Sequence, residues 1–148
     1  NFTMRVSYGN IKSYNPKDAV KYDFYCTLSG VASKYVKGDY EFDLPSKFLD
    51  LYKAKDFGPY ADKKIGDVVV SFITTNDITG GNSGSPVLDA SGNLIGLAFD
   101  GNYEALSHKI AFDSALNRTI CVDVRYVLWC IDKLGGAKHI VDELKLVQ

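Results

Sequence analysis

Apolar and polar positions alternate from the start of the chain: in MRVSYGNIKSY, Met4, Val6 and Tyr8 are separated by Arg5 and Ser7, the two-residue period of a half-buried strand. The next residues, YNPKD, predict a turn through Pro16. A mixed segment with turns near Gly30 and Gly38 leads to LPSKFLDLYKAKDFG, where Phe48, Leu51 and Tyr52 recur at helical spacing between Pro45 and Gly58 and predict one short helix. DVVVSFITT is β-branched and aromatic and predicts a strand. SPVLDASGNLIGLAFDG predicts a hairpin turning at Ser91-Gly92-Asn93, and HKIAFD and RTICVDV predict two more strands. Then the period changes. Val124, Val127, Leu128, Ile131 and Leu134 follow one helical stripe, Gly135-Gly136 stop it, and AKHIVDEL predicts a last amphipathic turn.

Composition agrees with this outline. Ten tyrosines, eight phenylalanines and 13 glycines suit strands joined by turns, so a mainly β fold with a helix near the C-terminus is expected. The 148 residues suit one domain, residues 1 to 148, with a usable core. With 46% apolar residues, 24% charged residues and a net charge of −1, neither disorder nor an electrostatic preference for nucleic acid or a membrane surface is indicated. The longest apolar run, ICVDVRYVLWCI, is interrupted by Asp123 and Arg125 and is too short to span a bilayer. Cys26, Cys121 and Cys130 lack metal-ligand spacing and are expected to pack as small hydrophobes; no metal or cofactor is implied. The opening NFTMRVSYG has neither an initiator Met nor a signal-like apolar stretch and reads as the start of a mature product or of a piece of something longer.

The candidate chemistry lies in TTNDITGGNSGSPV, residues 74 to 87. A nucleophilic serine needs an exposed Oγ beside N–H groups that converge on an oxyanion, and glycines on both sides permit the tight bend this requires. Ser83 is then the nucleophile, with the N–H groups of Gly81 and Ser83 as oxyanion donors; a plain glycine-serine hairpin loop is the competing reading. The order of strand, glycine-serine turn, hairpin and closing helix is that found around the serine of chymotrypsin-like proteases. Their G-D-S-G-G-P is altered at Asn82 and Ser85. An uncharged Asn82 cannot pair with a newly cleaved N-terminal amine, so no trypsinogen-type activation is expected. The G-x-S-x-G elbow of α/β-hydrolases is excluded, because Ser85 replaces the second glycine and a strand follows. His108, in a polar loop, and His139, on the terminal helix, both follow Ser83, whereas chymotrypsin-like chains carry their base and its orienting aspartate upstream. Neither is taken as the general base.

NDITGGNSGSPVLDASGNLIGLAFDGNYEAL and RTICVDVRYVLWCIDKLGGAKHIVDEL together resemble the C-terminal part of the bacterial dipeptidyl-peptidases of the 7 and 11 types, serine peptidase family 46. MRVSYGNIKSYNPKDAV and LYKAKDFGPYA extend the resemblance over nearly all of residues 4 to 144. It implies a chymotrypsin-like double β-barrel with an inserted helical domain, of which this chain is the second barrel with a C-terminal helix. The histidine and aspartate of the triad would lie on the N-terminal barrel, so this chain alone would be inactive. The resemblance further implies release of N-terminal dipeptides from peptides with a free N-terminus, a homodimer, and a periplasmic or cell-surface location. Asp100 would bind the substrate amine. Gly101, where the 11-type enzymes have an arginine, would leave the pocket for the penultimate substrate residue (P1) open to bulky apolar rather than acidic side chains, with Phe99 beside it as a wall.

Asp77, six residues before Ser83, has the spacing of the aspartate that binds basic P1 residues in trypsin-like proteases. A glutamyl-endopeptidase-like barrel is an alternative, since those proteins also use TGGNSGSPV; a degenerate protease barrel acting as a binding module is another. Asn1-Phe2-Thr3 and Asn117-Arg118-Thr119 match glycosylation sequons by pattern only.

Overall fold

A computed structural model describes residues 3 to 107 and 112 to 147. Seven strands are present among them: β1 (Tyr14–Lys17), β2 (Val20–Tyr22), β3 (Tyr25–Thr27), β4 (Val69–Thr74), β5 (Pro86–Leu88), β6 (Leu94–Gly101) and β7 (Thr119–Asp123). Four short helices accompany them: α1 (Leu28–Ala32), α2 (Ser46–Lys53), α3 (Val124–Trp129) and α4 (Lys138–Asp142). The mainly β expectation with a helix near the C-terminus holds.

β3 to β7 form one antiparallel sheet in the order β3-β4-β7-β6-β5, while β1 and β2 form a separate ribbon. Register decides where the chain's chemistry ends up. Thr74 at the end of β4 and Gly101 at the end of β6 both pair with Thr119 at the start of β7. The three strand ends therefore meet on one edge of the sheet, from which the serine loop departs. At the other end, Asp123 closes β7 and caps α3, its Oδ1 accepting from the Arg125 N–H at 2.8 Å. Arg125 in turn bonds both Asp123 and Asp62, at 2.9 and 3.0 Å, fastening α3 to the loop before β4.

The main apolar cluster lies at this second end, where Leu28, Phe48, Tyr60, Val68, Leu128, Trp129 and Val141 bring α1, α2, α3 and α4 together at the foot of β4. Trp129 is fully buried, meets Phe48 edge-on with ring centroids 5.5 Å apart, and donates its indole N–H to the Asp56 carbonyl at 3.0 Å. Truncating an aromatic of this kind costs about 3–5 kcal/mol, so the helices hold the sheet firmly at the end away from the serine.

Three sequence expectations are corrected, and a fourth, the helix from Val124 stopped at Gly135, is borne out with a π turn at its end. Residues 4 to 8 form no strand: Met4, Val6 and Tyr8 are 93, 78 and 90% exposed, and the segment is tied to the chain after β4 by the Ser7 hydroxyl, which donates to the Asp77 carbonyl. Alternation marks an apolar face but supplies no neighbouring strand to pair with. Pro16 sits inside β1, tolerated because the two-stranded ribbon leaves its missing N–H unneeded, and the chain turns instead at Asp18 and Ala19, the latter at φ 60°. The mixed segment contains β3 and α1, with Gly30 inside the helix and its N–H capped by Thr27 Oγ1. The helical stripe from Val124 runs as α3 and then as a π turn, Cys130–Leu134, closed by the Gly135 N–H on the Cys130 carbonyl at 2.7 Å. A side chain at Gly135 would lie 3.0 Å from the Ile131 carbonyl, so glycine permits this closure.

Of the cysteines, Cys121 is buried and Cys130 half-buried, but Cys26 is exposed because it faces outward from the edge strand β3. His139 lies on α4 as expected. His108 and most of the strand expected for HKIAFD lie outside the described residues, as does Asn1. Among the described residues no helix is long and apolar enough to cross a membrane.

Candidate active site

The loop between β4 and β5 owes its shape to Asn82. Its Oδ1 accepts from the Thr79 N–H at 2.7 Å and from the Thr79 hydroxyl at 3.3 Å, while its own N–H donates to the Thr79 carbonyl at 3.2 Å. Gly81 and Gly84 bend the chain at φ 96° and 84°, a conformation that favours glycine. Beyond the bend, the Gly84 N–H donates to the Ala98 carbonyl at 2.7 Å, and the Ala98 N–H donates to the Ser85 carbonyl at 2.9 Å, docking the loop on β6. The Ser85 N–H donates back to the Asn82 carbonyl. The N–H groups of Asn82, Gly84 and Ser85 are thus committed. Those of Gly81 and Ser83 have no acceptor among the described residues.

Ser83 is exposed and its hydroxyl donates to the Phe99 carbonyl at 3.0 Å. That carbonyl is turned toward the loop by a break in the β6–β7 register between Ala98 and Asp100, the place where a bulge re-aims the backbone. Phe99 itself is 60% exposed. Asp100 is exposed as well; its Oδ1 accepts from the Gly101 N–H at 2.7 Å, which leaves Oδ2 without a partner among the described residues. An added Cβ at Gly101 would lie 3.2 Å from the Ala105 Cβ.

Ser83, Phe99, Asp100 and Gly101 share one open cavity of about 610 Å³ with Asp77 and with Asn117 and Arg118, the residues preceding β7. Gly81 bends the rim of the same loop. The five residues singled out in sequence, Gly81, Ser83, Phe99, Asp100 and Gly101, are therefore brought together, and Asp77 joins them. His139 is on α4, at the other end of the molecule from the serine loop.

The far wall of the cavity is a polar network that sequence reading missed. Arg118 is 3% exposed, stacks over the Tyr14 ring at 5.3 Å, and donates to the carbonyls of Lys12, Ser13, Ser114 and Asn117. Asn102 accepts from the Arg118 N–H at 2.8 Å and donates to the Leu116 carbonyl and to Glu104, which also accepts from the Tyr14 hydroxyl at 2.8 Å. Burial foremost, with the Glu104 carboxylate beside it and against the Asn102 hydrogen bond, holds the Tyr14 hydroxyl above its usual pKa. Nothing in the spacing of these residues announces the network, because its members come from β1, from the end of β6 and from the start of β7 and meet only in the folded chain. The sequon match at Asn117 was the one visible signal in this region, and its 2% exposure removes that residue as a glycosylation acceptor in this fold.

A mainly β chain that presents a serine on a glycine-bent loop, with two uncommitted N–H groups above an open cavity, has the layout of a hydrolase's nucleophile loop. Sequence comparison narrows the class: the profile of the peptidase S46 family matches residues 1–146, and the chain belongs to that family. It is 59% identical over its whole length to the dipeptidyl-peptidase 7 of Phocaeicola vulgatus, covering 20% of that protein. It is also 52% identical over 99% of its length to an Asp/Glu-specific dipeptidyl-peptidase of Flavobacterium psychrophilum, again covering 20%. The crystal structure of Porphyromonas endodontalis DPP11 in complex with the dipeptide Arg-Glu superposes with a TM-score of 0.89 at 42% identity, over 93% of this chain and 20% of that one. The chain spans about a fifth of the length of the curated relatives it matches.

Proposed function

We propose that this chain is the nucleophile-bearing second barrel, of chymotrypsin type, of a serine dipeptidyl-peptidase that releases dipeptides from the free N-termini of peptides. The observation that carries this reading is the pair of uncommitted N–H groups of Gly81 and Ser83 at the exposed Ser83 hydroxyl, in a bend where the N–H groups of Thr79, Asn82, Gly84 and Ser85 are occupied. Ser83 Oγ attacks the P1 carbonyl, and the two N–H groups receive the developing oxyanion. The base that takes the Ser83 proton, and the aspartate that orients it, come from an upstream part of the full-length protein. The Ser83–Phe99 hydrogen bond is given up as that base engages.

Asp100 supplies the recognition of the substrate amine. Its Oδ2 is open to an ammonium while the Gly101 N–H steadies Oδ1, an arrangement suited to a charge-assisted bond. Gly101 sets the P1 preference toward bulky apolar side chains and away from acidic ones. Among the described residues, the cation that lines the cavity, Arg118, is engaged by four carbonyls rather than offered to a substrate. The full-length protein is read as a periplasmic or cell-surface homodimer.

The test uses the full-length protein on dipeptidyl fluorogenic substrates with Leu, Phe, Asp or Arg at P1, beside Ser83→Ala. Cleavage after Leu and Phe, abolished by Ser83→Ala, is expected. Cleavage only after Asp or Glu overturns the reading of Gly101, and a strong preference for Arg assigns Asp77, on the cavity wall, to P1 recognition. Activity retained by Ser83→Ala removes the serine mechanism.

A further inference from the structure

The stretch that leads from β4 into the serine loop is gripped from two sides. On the β7 side, the Thr119 hydroxyl donates to the Asn76 carbonyl at 2.7 Å. On the other side runs the arm before β1, antiparallel to the end of β4 and the residues after it. The Lys12 N–H donates to the Ile73 carbonyl at 3.3 Å, the Thr75 N–H to the Asn10 carbonyl at 3.0 Å, and the Asn10 N–H to Thr75 Oγ1 at 3.0 Å. Farther along, the Ser7 hydroxyl donates to the Asp77 carbonyl at 2.7 Å. Between these bonds the two backbones meet at Gly9, where an added Cβ would lie 2.5 Å from the Asn76 N and 2.8 Å from Thr75 Oγ1. The outer part of the arm buries little side chain, since Met4, Val6 and Tyr8 stay exposed. It therefore contributes little to the core; what it fixes is the place of the backbone it touches. Immediately beyond that backbone, Asp77, Ile78 and Thr79 line the cavity that holds Ser83, Phe99 and Gly101.

We propose that Ser7 and Gly9 are positioning residues for substrate recognition: by holding residues 75 to 77 they set where the Asp77–Thr79 wall stands, and hence how closely the cavity fits an apolar P1 side chain. This rests on the peptidase reading above and deepens it, adding to Gly101 a second determinant of P1 preference that lies outside the cavity. Gly9 admits the close approach and Ser7 secures it. A Cβ at residue 9 forces the arm and the Asn76 backbone apart by about 1 Å, a displacement of the size that costs rate when it reaches a substrate contact. Such a shift affects a side chain that reaches the wall more than one that stops short of it.

The experiment measures kcat/KM of the full-length enzyme for dipeptidyl substrates with Leu or Ala at P1. The ratio is taken within each protein, so the fraction of folded enzyme cancels. Gly9→Ala is expected to lower the Leu:Ala ratio about tenfold. Ser7→Ala should lower it about fivefold, the worth of one hydrogen bond, while Ser7→Thr, which keeps the hydroxyl, should stay within about twofold of wild type. If Gly9→Ala fails to fold, the two Ser7 variants decide. A merely structural arm would reduce cleavage of both substrates equally, so a ratio within twofold of wild type in the folded Gly9→Ala and Ser7→Ala proteins overturns the proposal. A Ser7→Thr ratio as low as that of Ser7→Ala overturns the role of the hydroxyl. A wild-type protein that releases no dipeptide from any substrate removes the peptidase reading and this inference with it; normal cleavage after Leu with an unmoved ratio in the variants removes this inference alone.

Discussion

Replacing Asn82 by leucine should cripple turnover while its replacement by aspartate should not. Asn82 touches the reaction only through the loop: Oδ1 receives the Thr79 N–H at 2.7 Å and the Thr79 hydroxyl at 3.3 Å, and Gly81 and Ser83 flank it on either side. Each net hydrogen bond contributes about 0.5–1.5 kcal/mol, and the long hydroxyl contact belongs at the low end, so about 1–2 kcal/mol of loop order is lost with the acceptor. If that loss falls on the geometry of the two oxyanion donors, it corresponds to a drop of roughly 5- to 30-fold in rate. It should appear in kcat rather than KM, because the donors strengthen their contact only as the oxyanion forms. Aspartate keeps an acceptor oxygen in the same place, and its kcat should stay within about threefold of wild type on that ground. The assay is steady-state cleavage of a P1 Leu substrate by full-length protein, normalised by titration with an irreversible serine-directed reagent so that only correctly folded sites are counted. Equal damage in Asn82→Asp and Asn82→Leu, or a leucine variant with wild-type kcat, would refute the idea that this side chain sets the oxyanion loop.

Two further changes probe the cavity and the core. Gly101→Arg in the full-length enzyme should raise the Asp:Leu ratio of kcat/KM at P1 by about 10- to 100-fold, the worth of a charge-assisted hydrogen bond; the new Cβ asks only that the Ala105 Cβ, 3.2 Å away, give by a few tenths of an ångström. Tyr60 links a buried position to alkaline stability. Burial, reinforced by its hydrogen bond to Asp132 at 2.8 Å, pushes the hydroxyl from 10.0 up to about 12. The raised value means that the folded state keeps this proton when the unfolded chain has released it, so the contribution is complete below about pH 10 and is lost as pH rises toward 12. Denaturation midpoints of wild type should therefore fall further between about pH 9 and pH 11.5 than those of Tyr60→Phe, and a parallel fall in both proteins counts against the linkage.

The parts of the fold legible in sequence are those whose signal is local. β4 reads out because Val69, Val70, Phe72 and Ile73 suit a pleated, half-buried surface, and the β5–β6 turn because Gly92 adopts φ 82° while Asp89 Oδ1 accepts from the Ser91 and Asn93 N–H groups. Ser83 and Gly81 were visible for the same reason, since bends at φ 96° and 84° strongly favour glycine on either side of the serine. Met4, Val6 and Tyr8 show the limit of periodicity, which reports that a face is apolar but not whether a strand exists to meet it. The Tyr14–Glu104–Asn102–Arg118 network was invisible because its members come from three separate stretches, and no pattern along one stretch encodes the register between two others.

The serine loop also holds its shape by contacts that can be named one by one. Among the described residues, the contacts that bend the serine loop are Asn82 to Thr79 within the loop, then Gly84 and Ser85 to Ala98 on β6. Among the described residues none of them passes through a histidine. The Ser83 hydroxyl rests meanwhile on the Phe99 carbonyl, which the bulge in β6 directs toward it. In the mechanism proposed above, the general base has only to exchange that single, exposed hydrogen bond for its own. On that proposal the Gly81 and Ser83 N–H groups need no rearrangement at that moment, and donors aligned before the charge develops are those that lower a barrier most.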